Sequence, residues 1–285
     1  MSKQPLKQRK VLVTGSAGNI GKYFALNHDK SKYKLRLMVH SGIEDKKVDP
    51  IRNCGEIVEG TLDNLDRLKE LCKGIDTVVH MAGEADPSAT WESIRDANIN
   101  GTYNIFVAAK AAGVKRVIYA SSIHAVSGYP KDIQVKVNEP VNPGDIYGVS
   151  KCFGEALARY MGEKEGLSSI AIRIGAFQPH ESAQNVDSIS MMDAWISERD
   201  CEHLIECCID APDDLKFLIV HGLSRNVFNR LDISDAKNRI GYEPKDNFFD
   251  VHPHLKNLKL DEKLAGHNVH DDGQQSGLRE QIGKT

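Results

Sequence analysis

Seven short apolar runs, "KVLVTG", "YKLRLMV", "GEIVEG", "IDTVVHMAG", "KRVIYASS", "SSIAIRIG" and "KFLIVHG", are spaced along the chain with helix-patterned segments between them. A strand that is apolar on both faces must be covered on both faces, so strands of this kind interleaved with helices build a parallel sheet with helices on either side. Helical periodicity falls at 19–27, in "NLDRLKELCKG", over a long region from about Ser88 to Ala112, and near 147–165 and 201–210. The expected fold is α/β, a doubly wound parallel sheet over residues 8–175 followed by a small lobe over 176–249 that interleaves with the last sheet elements. From about Asp250 the pattern dissolves, and 250–285 reads as a polar tail laid on the surface or partly disordered. His252, His254, His267 and His270 fall in that tail, and solvated side chains are preferred there to a metal site.

Bulk properties exclude several classes of function. A net charge of −3 leaves no electrostatic footprint for nucleic acid. The basic start is followed only by "VLV", too short for a secretory core, and no run of eighteen apolar residues offers a membrane span. The chain reads as cytoplasmic. Its six cysteines, at 54, 72, 152, 201, 207 and 208, show neither CxxC nor zinc-ligand spacing, so reduced core residues are expected. The adjacent Cys207-Cys208 leaves a redox pair as the less favoured alternative.

The first chemical motif is "TGSAGNIGKYF", where Gly15, Gly18 and Gly21 follow a strand and open a helix. Glycines in that setting let the backbone close on a pyrophosphate at a helix N-terminus, the arrangement of a Rossmann-like dinucleotide site. Cofactor choice turns on the tip of the second strand, which here reads Val39, His40, Ser41 with neither an acid nor an Arg. His40, Ser41, Lys46 or Lys47 could meet the 2′-phosphate of NADP, and Asp45 could serve NAD; both cofactors stay open, NAD slightly favoured.

In "DIYGVSKCFGEALARY" Tyr147 and Lys151 are four residues apart, which places both on one helix face. A phenol with a pKa near ~10 is a poor base at neutral pH, and a neighbouring ammonium is expected to bring it down. YxxxK alone is common as a solvated helical pair; its weight comes from the glycine motif upstream. Ser122 closes an apolar run at a strand tip.

"VLVTGSAGNIGKY", "VVHMAG", "NINGTYNIFVAAKAAGVKRVIYASS" and "YGVSKCFGE" occur in the order of the extended, epimerase-like branch of the short-chain dehydrogenase/reductase superfamily, and over about 10–175 the chain resembles that branch. The resemblance implies a catalytic triad of Ser122, Tyr147 and Lys151, with Tyr147 taking the proton of a substrate hydroxyl as hydride leaves for the nicotinamide. It implies that Asn98 joins a proton relay, unless it is a plain helix-capping amide. Cofactor contacts follow at Gly15, Gly18, Asn19, Ile20, Gly21, His40, Ser41, Leu62, Ala82, Gly83, Tyr147 and Lys151. A homodimer formed through the helices near 88–112 and 147–165 is expected on the same ground.

"YGVSKCFGEALARY", "AIRIG", "WISERDCEHLIECCIDAP" and "IGYEPKDN" are similar to the uronate dehydrogenases and to the haloarchaeal-type NAD-dependent glucose-6-phosphate dehydrogenases. Both oxidise the anomeric carbon of a sugar to a lactone. The chain departs from them where substrate is held: Ile123 stands where both groups have an Asn after the serine, and Ala176 and about Ser190 stand where the uronate dehydrogenases have a Ser and an Arg. An anionic sugar wants a cation. Arg173 is available unless it sits in a structural pair, and His124 and His180 are further candidates unless they are hydrogen-bonded loop histidines. Ile123, His124, Arg173, Ala176 and Ser190 are thus the expected substrate contacts. An NAD(P)-dependent sugar dehydrogenase is the leading expectation; a nucleotide-sugar epimerase or dehydratase and a non-catalytic dinucleotide-binding regulator are the alternatives.

Overall fold

The structure, a computed structural model, describes residues 8–40, 42 and 44–260. Its first half runs β1 (Arg9–Thr14), α1 (Asn19–Asn27), β2 (Tyr33–Val39), β3 (Glu56–Glu59), α2 (Leu65–Cys72), β4 (Thr77–His80), α3 (Trp91–Ile94), α4 (Gly101–Ala111) and β5 (Arg116–Ser122). The second half adds α5 (Ile146–Glu163), β6 (Ser168–Ile174), β7 (Ala176–Phe177), α6 (His180–Ala183), β8 (Trp195–Ile196), α7 (Glu198–Ile209), β9 (Phe217–Gly222), α8 (Ser234–Ile240) and α9 (Phe248–Val251). Seven strands form one sheet in the order β3-β2-β1-β4-β5-β6-β9, every neighbouring pair parallel, and β7 pairs with β8 in a second, two-stranded sheet. The chain is therefore α/β with the expected doubly wound sheet. Strand order reverses between β1 and β4, the place where such sheets open a crevice beyond their carboxyl ends.

Strand periodicity divides the core into two layers. Val11 and Val13 of β1 join Phe24 and Ala25 of α1 and Leu204, Ile205 and Cys208 of α7 on one face. Leu12 between them joins Leu68 and Leu71 of α2, Ile105 and Phe106 of α4, and Ala158 and Met161 of α5 on the other. Each Val, Leu, Ile, Phe or Met among these, taken fully from water, contributes about 1.5–3 kcal/mol. The C-terminus of α7 is closed by the buried Arg116, whose guanidinium donates to the carbonyl oxygens of Cys208, Ile209 and Ala211 at 3.2, 3.1 and 2.8 Å. Burial raises the thiols of Cys207, to about 11, and of Cys208, which suppresses the thiolate that a redox pair requires.

Two segments depart from the sequence reading. The long helical region is not uniform: between α3 and α4, residues Arg95–Asn100 form a turn of π-helix. The patterned fold also does not stop at Asp250. Phe248 sits edge-on to Trp195 at 5.8 Å and stacks on His252 at 5.3 Å, and Leu255 packs on the same cluster. His252 is buried rather than solvated because it closes this aromatic cluster. His267 and His270 lie outside the described residues. Among the described residues no helix is long and apolar enough to cross a membrane.

Candidate active site

A cleft of about 1170 Å³ opens at the carboxyl ends of the strands. One end is built by the glycine turn. Thr14 ends β1; its Oγ1 accepts the Ala82 amide at 3.1 Å and pairs with Nδ1 of the buried His80 at 2.8 Å, tying β1 to β4. Gly15 follows at φ +69°, and a Cβ there would stand 2.8 Å from the Ala82 nitrogen, so the close approach of the two strand ends requires glycine. Gly18 is the N-cap of α1 and supplies no side-chain cap, while a Cβ on Gly21 would collide with the Gly15 carbonyl. The helix thus starts with a bare backbone N-terminus facing the cleft, which suits a phosphate. Asn19, Ile20, Leu62, Ala82 and Gly83 line the same end, and His40 lies at the mouth beyond β2. Ser41 lies outside the described residues. Gly42 is close to Glu59, the last residue of β3, whose Oε1 would stand 3.3 Å from a Cβ there. An acid near this strand tip therefore comes from β3.

Ser122, Tyr147 and Lys151 converge in the middle of the cleft. Ser122 is the last residue of β5, and its Oγ accepts the His124 amide at 3.2 Å. Asp145 caps α5 by accepting the Gly148 amide at 2.6 Å, which sets Tyr147 and Lys151 on the first turns of the helix, both buried. Lys151 Nζ donates to the Ala120 carbonyl at 2.9 Å and lies 5.3 Å from the Tyr147 ring centroid and 5.4 Å from that of Tyr119. Burial pushes the Lys151 ammonium down to about 8. The Tyr147 phenol is raised, mainly by burial, with a hydrogen bond to Ser122 acting in the opposite direction. The lowering expected from the ammonium does not emerge: desolvation dominates and favours the neutral form of both groups.

Asn98 sits in the π-turn and is no helix cap. Its Nδ2 donates to the Glu84 carbonyl and to Ser150 Oγ, both at 3.0 Å, and its Oδ1 accepts the Glu84 amide at 2.8 Å. Ser150 Oγ in turn donates to the Tyr147 carbonyl at 2.6 Å. A buried amide thereby links the segment after β4 to the helix that carries Tyr147. Gly83, at φ +155°, passes so close that a Cβ would stand 2.7 Å from Asn98 Oδ1.

The other end of the cleft is lined by Ile123, His124, Ala176, Phe177, Ser190 and Met191. Ile123 also packs on a satellite cluster around Val126, Val135 and Leu231, so it is partly a core residue. His124 Nδ1 lies 2.6 Å from Asp145 Oδ2, and its ring meets Tyr147 edge-on at 5.3 Å. Arg173 is a correction: it does not reach the cleft. It projects from β6 towards α5, is 1% exposed, and donates through Nε and Nη2 to the two oxygens of Glu155, both at 2.9 Å. His180 faces Asp246 at 3.6 Å and is absent from the cleft lining. Besides Lys151 at the centre, the Lys or Arg that lines the cleft among the described residues is Arg230, from the loop after β9. Nothing in "NVFNRLDIS" marks it, because a bridge between Val135 and Leu231 brings it there.

Comparison with known proteins follows the same lines. An NAD dependent epimerase/dehydratase family model matches residues 11–197. The chain is 33% identical over 249 residues to the NAD-dependent glucose-6-phosphate dehydrogenase of Haloferax volcanii, covering 83% of this chain and 93% of that protein. It is 34% identical over 239 residues to the uronate dehydrogenase of Agrobacterium fabrum, covering 84% and 85%. A mutant uronate dehydrogenase from Agrobacterium tumefaciens, solved in complex with NAD, superposes with a TM-score of 0.76 at 30% identity, covering 93% of each chain. With a family match over most of the chain, relatives above 30% identity and a shared sheet, the protein belongs to the NAD dependent epimerase/dehydratase family.

Proposed function

We propose that this protein is an NAD-dependent sugar dehydrogenase that oxidises a sugar hydroxyl, at the anomeric carbon, to a lactone. The observation that carries the reading is one continuous cleft with a glycine turn and bare helix N-terminus at one end and Ser122, Tyr147 and Lys151 at its centre. The glycine turn, which a Cβ at Gly15 or Gly21 would drive into neighbouring backbone, fits a dinucleotide, with Gly15, Gly18, Asn19, Ile20 and Gly21 around its pyrophosphate and Leu62, Ala82 and Gly83 along its length. When bound, the cofactor accepts hydride, and its positive ring favours the phenolate. Ser122 holds the reacting oxygen by hydrogen bond, and Tyr147 takes its proton as general base. Lys151 holds the cofactor ribose, and its ammonium favours the phenolate. Asn98 keeps Tyr147 in register through Ser150. Ile123, His124, Ala176 and Ser190 bound the sugar.

The names of several relatives support NAD, and NADP remains the finer alternative; His40 at the mouth is the described side chain nearest that choice. A homodimer is proposed through α4 and α5, which leave Tyr103, Ile146, Val149, Phe153 and Tyr160 exposed. Sedimentation of the wild type and of Phe153→Glu tests it, a dimer that dissociates in the variant being expected.

The test of function is a panel of aldoses, uronates and sugar phosphates with NAD and NADP, followed by cofactor reduction. Reduction with at least one sugar, faster with NAD, is expected. Conversion of nucleotide sugars without net reduction would transfer the protein to the epimerases, and tight cofactor binding without turnover of any sugar to the regulators.

A further inference from the structure

The segments predicted to hold an anionic sugar carry no cation at Ile123, Ala176 or Ser190, and Arg173 is sequestered by Glu155. Arg230 nevertheless brings a guanidinium to that end of the cleft, by a route that can be followed contact by contact. Ser122 pairs in register with Ile174. Two residues on, the Ala176 amide donates to the Ala194 carbonyl at 2.8 Å, and the neighbouring Asp193 carbonyl accepts the Arg230 amide at 2.8 Å. On its other side the Arg230 carbonyl accepts the Val135 amide at 2.9 Å, and Nη2 donates to the Tyr129 carbonyl at 2.7 Å. Arg230, in the loop that follows β9, is clamped between the loop that follows Ser122 and the segment that precedes β8.

Only one donor of its fork is taken up by that carbonyl, and a guanidinium has five. Two carboxylates share the cleft lining with it. Glu84 is occupied, accepting from Ser93 Oγ at 2.8 Å and from the amides of Ala85 and Asp86. The Asp193 carboxylate lies beyond 4.0 Å from the Arg230 guanidinium, as does every other carboxylate among the described residues. A guanidinium fixed at a cleft wall with donors to spare and no carboxylate partner is suited to pairing with a ligand oxyanion.

We infer that Arg230 is the specificity-determining residue of this cleft, pairing through its free guanidinium donors with an oxyanion on the sugar substrate, a carboxylate or a phosphate remote from the reacting carbon. The inference rests on the dehydrogenase reading for its chemistry, yet anion binding at Arg230 can be measured without turnover.

The experiment compares the wild type with Arg230→Gln and Arg230→Lys on glucose, glucuronate and glucose 6-phosphate. Gln keeps a donor for the Tyr129 carbonyl and removes the charge, which separates recognition from loop anchoring. The wild type is expected to favour one anionic sugar over glucose in kcat/KM. In Arg230→Gln that ratio should fall at least tenfold, chiefly through KM. Lys should recover a phosphate preference better than a carboxylate one, since a carboxylate uses the planar fork. A ratio unchanged in Arg230→Gln, or a wild type that favours glucose, would overturn the assignment. In parallel, glucuronate and glucose 6-phosphate are titrated against thermal stability, and a rise in Tm that disappears in Arg230→Gln supports the site even if no sugar is oxidised. In that case the dehydrogenase reading fails alone; sugar oxidation with neither effect sinks Arg230 alone.

Discussion

One carboxylate serves two residues at the head of α5: Asp145 accepts the Gly148 amide through Oδ1 and holds His124 Nδ1 at 2.6 Å through Oδ2. The helix that presents Tyr147 and the imidazole beside it are therefore aligned by the same side chain. Asp145→Asn keeps an N-cap and removes the charge facing His124; Asp145→Ala removes both. Losing the cap costs about 1 kcal/mol, or about 2–4 °C in Tm for a large domain. Asn should stay near the wild-type Tm while KM for the sugar rises several-fold. Equal melting losses in the two variants would show that capping is not what the carboxylate contributes to stability.

Tyr147→Phe removes the proposed base without changing the ring's packing. Turnover should fall by about 10²–10⁴-fold, the usual weight of general base catalysis. Cofactor affinity, followed by fluorescence titration, should stay within twofold. Near wild-type rates in this variant would end the triad assignment.

Lys151 carries a pH signature. Its ammonium is pushed down to about 8 by burial, against roughly 10.4 in the unfolded chain. Between those values the unfolded state binds the extra proton, so this group makes stability rise with pH from about 8 to about 10. Below about 8 the full penalty, roughly 3 kcal/mol, is present. Tyr147, raised above its ordinary range, opposes the trend only above ~10. Urea unfolding of the wild type should therefore give a larger free energy at the upper end of this window than at neutral pH. Lys151→Met should flatten that slope and be the more stable protein at neutral pH; a slope that survives the substitution would place its origin elsewhere.

The Arg173–Glu155 pair predicts a non-additive cycle. Removing either partner leaves a buried charge uncompensated, at a cost of about 3–5 kcal/mol. Arg173→Met with Glu155→Leu should recover much of that loss. Neither the single nor the double variant should change which sugar is preferred, measured as a ratio of kcat/KM, since the pair lies outside the cleft. A shift in preference would return Arg173 to the substrate.

What could be read from residues alone was local. The glycine turn, Ser122 at a strand end and Tyr147 four residues before Lys151 each depend on a single strand, helix or junction, and the order of strands and helices follows from periodicity. What escaped depended on distance through the fold. The position of Arg173 between two isoleucines of β6 does not reveal that Glu155, 18 residues earlier, waits on the covering helix. Burial decides the direction in which Tyr147 and Lys151 titrate, and burial is a property of all seven strands and their helices together. The π-turn at Asn98 depends on partners in Glu84 and Ser150, and the tail beyond Asp250 on a stack between Phe248 and His252.

The bridge between Val135 and Leu231 joins two segments almost a hundred positions apart into one wall. Retargeting this enzyme to another sugar by grafting a single loop would tear that seam, since Arg230 takes its direction from both sides. The heritable unit of selectivity is the joined pair, and a successful graft must carry 127–135 and 223–233 together.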